Sequence, residues 1–145
     1  LRSVDAEPSA MIRSGLLLAG ANRTWTGIHV IPNIEDGILT AEEISNVNLF
    51  GTKLVVLSAC ETGLGEIKSS EGVFGLQRAF KLAGVQSLIM SLWKVDDNAT
   101  MELMNTFYNN WLSGMSKHDA FNNAVEKIRG HHKSPYYWAA FVMLD

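Results

Sequence analysis

The sequence contains one cysteine, Cys60, and only three prolines among 145 residues. A single cysteine permits no internal disulfide bond, which is typical of a reducing compartment and predicts a cytoplasmic protein. No apolar run is long enough to span a bilayer, and the first residues lack the basic-then-apolar order of a secretory signal. The formal net charge is -3, and no basic block is present. We therefore expect neither a membrane nor a nucleic acid as partner.

Metal-ligand and phosphate-binding patterns are also missing. The four histidines are His29, His118, His131 and His132, and none has the spacing of a metal-ligand pair. The glycines at 63 and 65 lack both the third glycine of a dinucleotide fingerprint and the Lys-Ser/Thr pair of a P-loop. We expect no metal and no cofactor.

Apolar segments alternate with amphipathic ones along the chain. With 47% apolar residues, the chain is long enough for one domain, residues 1–145. Strands are predicted at 16–19, 54–57, 85–92 and 138–144, and helices from Thr40, Ser69, 96–98 and Ser116, the last ending at Gly130. This order predicts an α/β fold with a mostly parallel central sheet and helices on both of its faces.

Cys60 follows the predicted strand that ends at Leu57. In open parallel sheets chemistry usually lies at the carboxyl ends of the strands, which makes the thiol a candidate nucleophile. The helix predicted from Ser69 would favour the thiolate if its N-terminus lay close to the sulfur. The alternative is a small buried residue with a packing role, because free cysteines are often buried.

Seven segments of the sequence carry a family resemblance: 15–20, 36–43, 54–65, 71–73, 83–85, 91–97 and 138–142. In this order, along most of the chain, they resemble the CHAT family, caspase-like cysteine peptidase domains that often follow tetratricopeptide repeats and are distantly similar to separase and the caspases. The resemblance implies a caspase-haemoglobinase-like sandwich and makes Cys60 the nucleophile of a peptidase. It also implies a protein or peptide substrate and regulation by attached tetratricopeptide-type repeats or another protein.

The family's catalytic histidine stands in a His-Gly motif upstream of the segment that Gly15–Gly20 matches, and this sequence has no such motif. The resemblance therefore covers the C-terminal part of the domain, which would be N-terminally incomplete here. We expect the chain alone to be inactive or impaired as a peptidase, and to self-associate through the apolar surface and unpaired backbone of an incomplete sheet.

Three acidic residues are candidate substrate-binding groups by resemblance. In related peptidases the loop after the strand that follows the nucleophile helps build the pocket for the residue before the cut, so Asp96 and Asp97 would pair with Arg or Lys. Capping of the following helix is the alternative for this pair. Glu61 would shape the nucleophile turn, or is a solvated turn residue.

Two other functions stay open at the level of the sequence. The first is a non-catalytic caspase-like module that serves as a scaffold for protein interactions. The second is a Rossmann-like binder of a small molecule. The sequence upstream of Leu1 discriminates between the peptidase and the scaffold, because only the peptidase requires a strand that ends in His-Gly.

Overall fold

A computed structural model of the chain describes residues 11–12, 14–22, 26, 36–57 and 69–145. The chain divides into two compact units, one formed by Leu1–Lys53 with Thr62–Gln86 and the other by Leu54–Glu61 with Ser87–Asp145. Each unit has its own buried apolar side chains.

The first unit begins with a short antiparallel ladder between β1 (Gly15–Leu17) and β2 (Ile38–Thr40). A Cβ atom at Gly15 would lie 2.6 Å from the carbonyl oxygen of Leu39, so this close pairing requires glycine. The predicted strand at 16–19 is confirmed, with its start one residue earlier and its end two residues earlier. Strand β2 was not predicted, because three residues are too few to show an alternating pattern.

Helix α1 (Ala41–Ser45) starts at the predicted capping box. The Glu43 N–H donates to Thr40 Oγ1 at 3.2 Å, and the Thr40 N–H donates back to Glu43 Oε2 at 2.7 Å. Both bonds satisfy backbone donors that the first turn of a helix leaves free.

Helix α2 (Ser69–Leu82) packs against α1 in the first unit. Its buried face carries Leu76, Ala79 and Phe80, at the three- and four-residue spacing of an amphipathic helix. Gly84 follows the helix with a φ of 96°, the left-handed conformation that glycine adopts readily after a helix end.

The second unit contains a three-stranded sheet in the order β3 (Val55–Leu57), β4 (Leu88–Ser91) and β5 (Phe141–Leu144). Strand β4 is buried along its whole length, as a central strand requires. The β3–β4 pair is parallel and the β4–β5 pair is antiparallel. The expected predominance of parallel pairing is therefore not found among the described strands, and the architecture is α/β with a small mixed sheet.

Helices α3 (Asp97–Leu112) and α4 (Lys117–His131) pack against each other and contribute most of this unit's core. The core comprises Ile89, Val95, Leu103, Phe107, Ala120, Phe121, Ala124, Ile128, Ala140 and Phe141. The expected end of α4 at Gly130 is wrong, because the helix continues to His131 and the His132 N–H still donates to the Ile128 carbonyl at 2.8 Å.

The predicted strand at 138–144 is too long by three residues. Ser134 caps a short helix, α5 (Pro135–Trp138), whose first position is the proline. Proline suits that position because its fixed φ matches the helix and its missing N–H is not needed there. The apolar run at 138–144 therefore contains the end of α5 and the whole of β5, which begins only at Phe141.

Candidate functional site

The carboxyl ends of β3 and β4 lie side by side at one edge of the second unit's sheet. Leu57, the last residue of β3, is in register with Met90 of β4, and both strands run in the same direction. Chain segments that leave neighbouring parallel strands start at the same sheet edge. The segment after β3 leads to Cys60, and the segment after β4 leads to Trp93, each three residues beyond the registered pair.

Cys60 and Glu61 lie outside the described residues. The strand that precedes them is described and pairs with β4. Val55 begins this strand by donating its N–H to the Ser87 carbonyl at 3.0 Å, which fixes the register from the amino end.

Asp96 is the N-cap residue of α3. Its backbone is extended, with φ -68° and ψ 133°, and its Oδ1 accepts the Ala99 N–H at 3.0 Å. The Asp96 carbonyl oxygen also accepts the Thr100 N–H and hydroxyl, each at 2.9 Å. The capping interpretation of Asp96 is therefore confirmed, and one oxygen of this carboxylate is already committed to the helix.

Asp97 occupies the first position of α3 and is exposed. Its carboxylate makes no hydrogen bond or ion pair with any residue that the structure describes. A first-turn carboxylate interacts favourably with the positive end of the helix dipole. Of the two aspartates, only Asp96 has a carboxylate that is hydrogen-bonded to another described residue.

Trp93 lies on the segment after β4, and Tyr136 lies on α5. No sequence motif indicated a role for either residue in the site. The Trp93 Nε1–H donates to the Tyr136 carbonyl at 3.1 Å, and the Tyr136 hydroxyl donates to the Lys94 carbonyl at 2.6 Å. The residues are 43 positions apart, so no local pattern predicts this pairing. Ser134 followed by Pro135 is the sequence signal that would have placed a helix start there.

The histidines at the end of α4 have partners on neighbouring helices. His131 Nδ1 lies 2.6 Å from Glu102 Oε1, and the His132 ring stacks on Tyr137 with centroids 4.6 Å apart.

His118 lies at the sheet edge opposite the carboxyl ends of β3 and β4. Its Nδ1 is 3.7 Å from Asp145 Oδ2, and Asp145 follows the end of β5. Because β5 is antiparallel to β4, with Leu144 opposite Leu88, Asp145 lies at the amino end of β4. His118 therefore lies at the sheet edge opposite the carboxyl end of β3, the strand that ends at Leu57. His29 lies outside the described residues.

Within the described part of the chain, no three His, Cys, Asp or Glu side chains are grouped as metal ligands. Among the described residues, no helix has the length and apolar character that crossing a membrane requires.

The family model described as "CHAT domain" matches residues 4–145, nearly the whole chain. The chain belongs to the CHAT domain family. The resemblance noted in the sequence is thereby confirmed for this domain as a family assignment, and it extends across both structural units.

The CHAT domain is also similar to part of a much longer protein. It is 30% identical over 115 residues to "Tetratricopeptide repeat protein 28" of Homo sapiens, a match that covers 78% of this chain and 5% of that protein. The protein of the same name from Mus musculus is 29% identical over 115 residues, with the same coverage. The chain thus spans a small fraction of the length of these relatives.

Proposed function

We propose that this CHAT domain is a caspase-like cysteine endopeptidase with Cys60 as its nucleophile. Two observations support the proposal. The family model covers the segment that contains Cys60, and the parallel register of β3 with β4 brings the segments after both strands to one sheet edge. An edge of this kind lets a nucleophile and a substrate-binding loop face one peptide.

The proposed reaction follows the chemistry of a cysteine and a histidine base. The Cys60 thiolate attacks the peptide carbonyl carbon and forms a thioester, while the protonated histidine transfers a proton to the departing amine. Water then attacks the thioester, gives its proton to the histidine and releases the carboxylic acid with the free thiolate. Backbone N–H groups beside the nucleophile would stabilise the tetrahedral oxyanion.

We assign the base to a histidine that the printed sequence does not contain. The position of His118 at the opposite sheet edge supports this assignment. The contacts of His131 with Glu102 and of His132 with Tyr137 support it further, since both rings already have structural partners. The domain of residues 1–145 would then be the C-terminal part of a caspase-like sandwich.

We further propose that the substrate is a protein with a basic residue before the cut bond, which Asp97 binds. The exposed carboxylate at the first turn of α3 supports this choice over Asp96, whose oxygen holds the Ala99 N–H. Glu61 directly follows the nucleophile in the sequence and adds a second negative charge beside the proposed cleavage site.

The biological setting is also a proposal. The names of the relatives support a parent protein in which tetratricopeptide repeats accompany and regulate the CHAT domain. The single cysteine supports a cytoplasmic location. Self-association of the 145-residue chain stays a prediction, supported by exposed apolar side chains such as Phe50 and Leu82, and light scattering after size exclusion measures it.

The deciding experiment labels the full-length protein that carries this chain with a biotinylated acyloxymethyl ketone that presents arginine to the enzyme. The proposal predicts alkylation of the Cys60 sulfur, located by mass spectrometry, and cleavage of fluorogenic peptides that contain arginine. Cys60→Ala should abolish both, whereas Lys133→Ala, a change at an exposed residue, should alter neither. A wild-type protein that binds its partners but shows neither labelling nor cleavage would favour the scaffold instead.

A further inference from the structure

The segment after β4 is joined to α5 by two hydrogen bonds that run in opposite directions. Trp93 donates its indole N–H to the Tyr136 backbone, and Tyr136 donates its hydroxyl to the Lys94 backbone. Each aromatic residue therefore uses its side chain to hold the backbone beside the other. We call this pair of bonds the Trp93–Tyr136 clamp.

The clamp fixes the middle of a segment whose two ends are held by other contacts. At the first end, the Leu92 N–H donates to the Ala140 carbonyl at 2.8 Å, which extends the β4–β5 ladder. At the second end, Val95 is buried in the core and Asp96 caps α3. Trp93 and Lys94 are not among the residues of the described core, and the clamp provides the hydrogen bonds that join them to α5.

Both aromatic residues are exposed, although aromatic side chains are costly to leave in water. Trp93 is 36% exposed and Tyr136 is 48% exposed. Water competes with hydrogen bonds at such positions, so each bond contributes only the modest net free energy of an ordinary hydrogen bond, equivalent to about fivefold in an equilibrium constant. Their effect is local, since they restrict the backbone positions that Trp93 and Lys94 can adopt.

The clamp lies on the segment that starts at the proposed catalytic edge. Trp93 follows Met90 by three residues, and Cys60 follows the registered Leu57 by the same number. Asp97, the proposed specificity residue, follows the clamped segment directly. A peptide that lies along this edge would contact a segment whose conformation is already set, and binding would not have to order it.

We infer that Trp93 and Tyr136 are positioning residues that preorganise the 92–96 segment for peptide binding. The inference rests on the proposed peptidase function and adds to it two residues that position the peptide-binding segment. Neither side chain takes part in proton transfer or bond cleavage. Loss of the clamp should therefore weaken substrate binding and leave the chemical step unchanged.

The test uses Tyr136→Phe in the full-length protein, a change that removes only the hydroxyl group. With fluorogenic peptides that carry arginine before the cleaved bond, we expect KM to rise about fivefold at an unchanged kcat, the effect of one lost hydrogen bond. The matched control is Tyr137→Phe, the same chemical change one residue along α5, for which both constants should stay at the wild-type values. Trp93→Phe should raise KM by a similar factor.

The double variant tests whether the two bonds act as one device. Because each bond holds the backbone that the other needs, we expect Trp93→Phe with Tyr136→Phe to raise KM by less than the product of the single effects. Independent bonds would give the full product, and that result would contradict the clamp.

Hydrogen exchange provides a readout that does not depend on activity. In Tyr136→Phe, backbone amides of residues 92–96 and the Trp93 indole N–H should exchange about fivefold faster than in the wild type, while β4 amides stay protected. Tyr137→Phe should show no such change. Unchanged exchange in Tyr136→Phe would overturn the clamp even if the protein is an active peptidase.

The remaining outcomes separate the two proposals. A lower melting temperature of Tyr136→Phe at unchanged KM would assign the clamp a structural role only and would overturn this inference. Absence of cleavage by the wild-type protein would instead remove the peptidase proposal, and the role in peptide binding with it. Cleavage at wild-type KM by both tyrosine variants would leave the peptidase proposal standing and remove only the clamp.

Discussion

Ser87 donates its hydroxyl hydrogen to Asp145 Oδ1 at 2.7 Å and thereby joins the residue before β4 to the residue after β5. The two residues are 58 positions apart, and Ser87 is only 2% exposed. This bond closes the β4–β5 ladder at the edge opposite the proposed site, where the strand register begins with Leu88 opposite Leu144.

Ser87→Ala is expected to lower the free energy of unfolding of the chain by about 1 kcal/mol, because it removes a buried hydroxyl and leaves a carboxylate oxygen without this donor. Urea unfolding followed by tryptophan fluorescence measures the change. Asp145→Asn keeps an acceptor oxygen and should cost less. Equal stability of Ser87→Ala and the wild type would show that the contact does not hold the ladder.

Asp96 and Asp97 should respond differently to the same substitution. Asp96→Ala removes the α3 cap and should lower the free energy of unfolding by about 1 kcal/mol. Asp97→Ala should change stability little, because the side chain is exposed and makes no bond with a described residue. In the full-length protein, Asp97→Ala should reduce cleavage after basic residues by about tenfold, the effect of one lost charged hydrogen bond. An unchanged preference would contradict its proposed role.

The capping box at α1 should respond to acid. The Glu43 carboxylate accepts hydrogen bonds from Thr40, and these hold the pKa of Glu43 below its ordinary value. The Thr40 N–H has the larger effect, and the Thr40 hydroxyl has the smaller one. A lowered native pKa stabilises the folded state above the unfolded pKa, and this contribution is lost as the pH falls through the native pKa. Thr40→Ala keeps the backbone donor, so the Glu43 pKa should rise only part of the way back. Carbon-detected NMR titration of Glu43 in both forms measures this, and identical titration curves would contradict the assignment.

Two glycines with positive φ provide a matched pair for backbone strain. Gly84 has a φ of +96°, and a Cβ atom at this position would lie 2.7 Å from Cδ1 of the Phe50 ring. Gly114 has a φ of +103°, and a Cβ atom there would have no neighbour within 4 Å. Gly114→Ala should cost about 1 kcal/mol from the backbone alone. Gly84→Ala should cost slightly more, because the exposed Phe50 ring must also move.

Phe50→Ala should remove the difference between the two glycine variants. In that background Gly84→Ala and Gly114→Ala should lower the free energy of unfolding by equal amounts, as measured by urea unfolding. A larger cost for Gly84→Ala that persists without the ring would show that the backbone, and not the Phe50 contact, distinguishes the two positions.

Local patterns predicted the elements whose signals lie within a few residues. The Thr40–Glu43 box, the Ser116 cap and the amphipathic face of α2 all appear as expected, because capping and helix periodicity depend on neighbouring residues. The apolar runs at 54–57 and 85–92 likewise predicted two strands, which the structure has at Val55–Leu57 and Leu88–Ser91. The prediction of a strand over the whole run at 138–144 was wrong, because an apolar run alone does not distinguish a helix from a strand.

The sequence by itself determined the helix starts at Thr40 and Ser116, the buried strands, the family and the cysteine that follows β3. Only the tertiary structure decided that β5 runs antiparallel to β4 and that the Trp93–Tyr136 clamp joins the segment after β4 to α5. The physical reason is the separation along the sequence between the residues that make each contact. Caps and periodicity are set by bonds between residues a few positions apart, whereas strand direction and the clamp depend on contacts between residues more than 40 positions apart, and many different sequences satisfy such contacts.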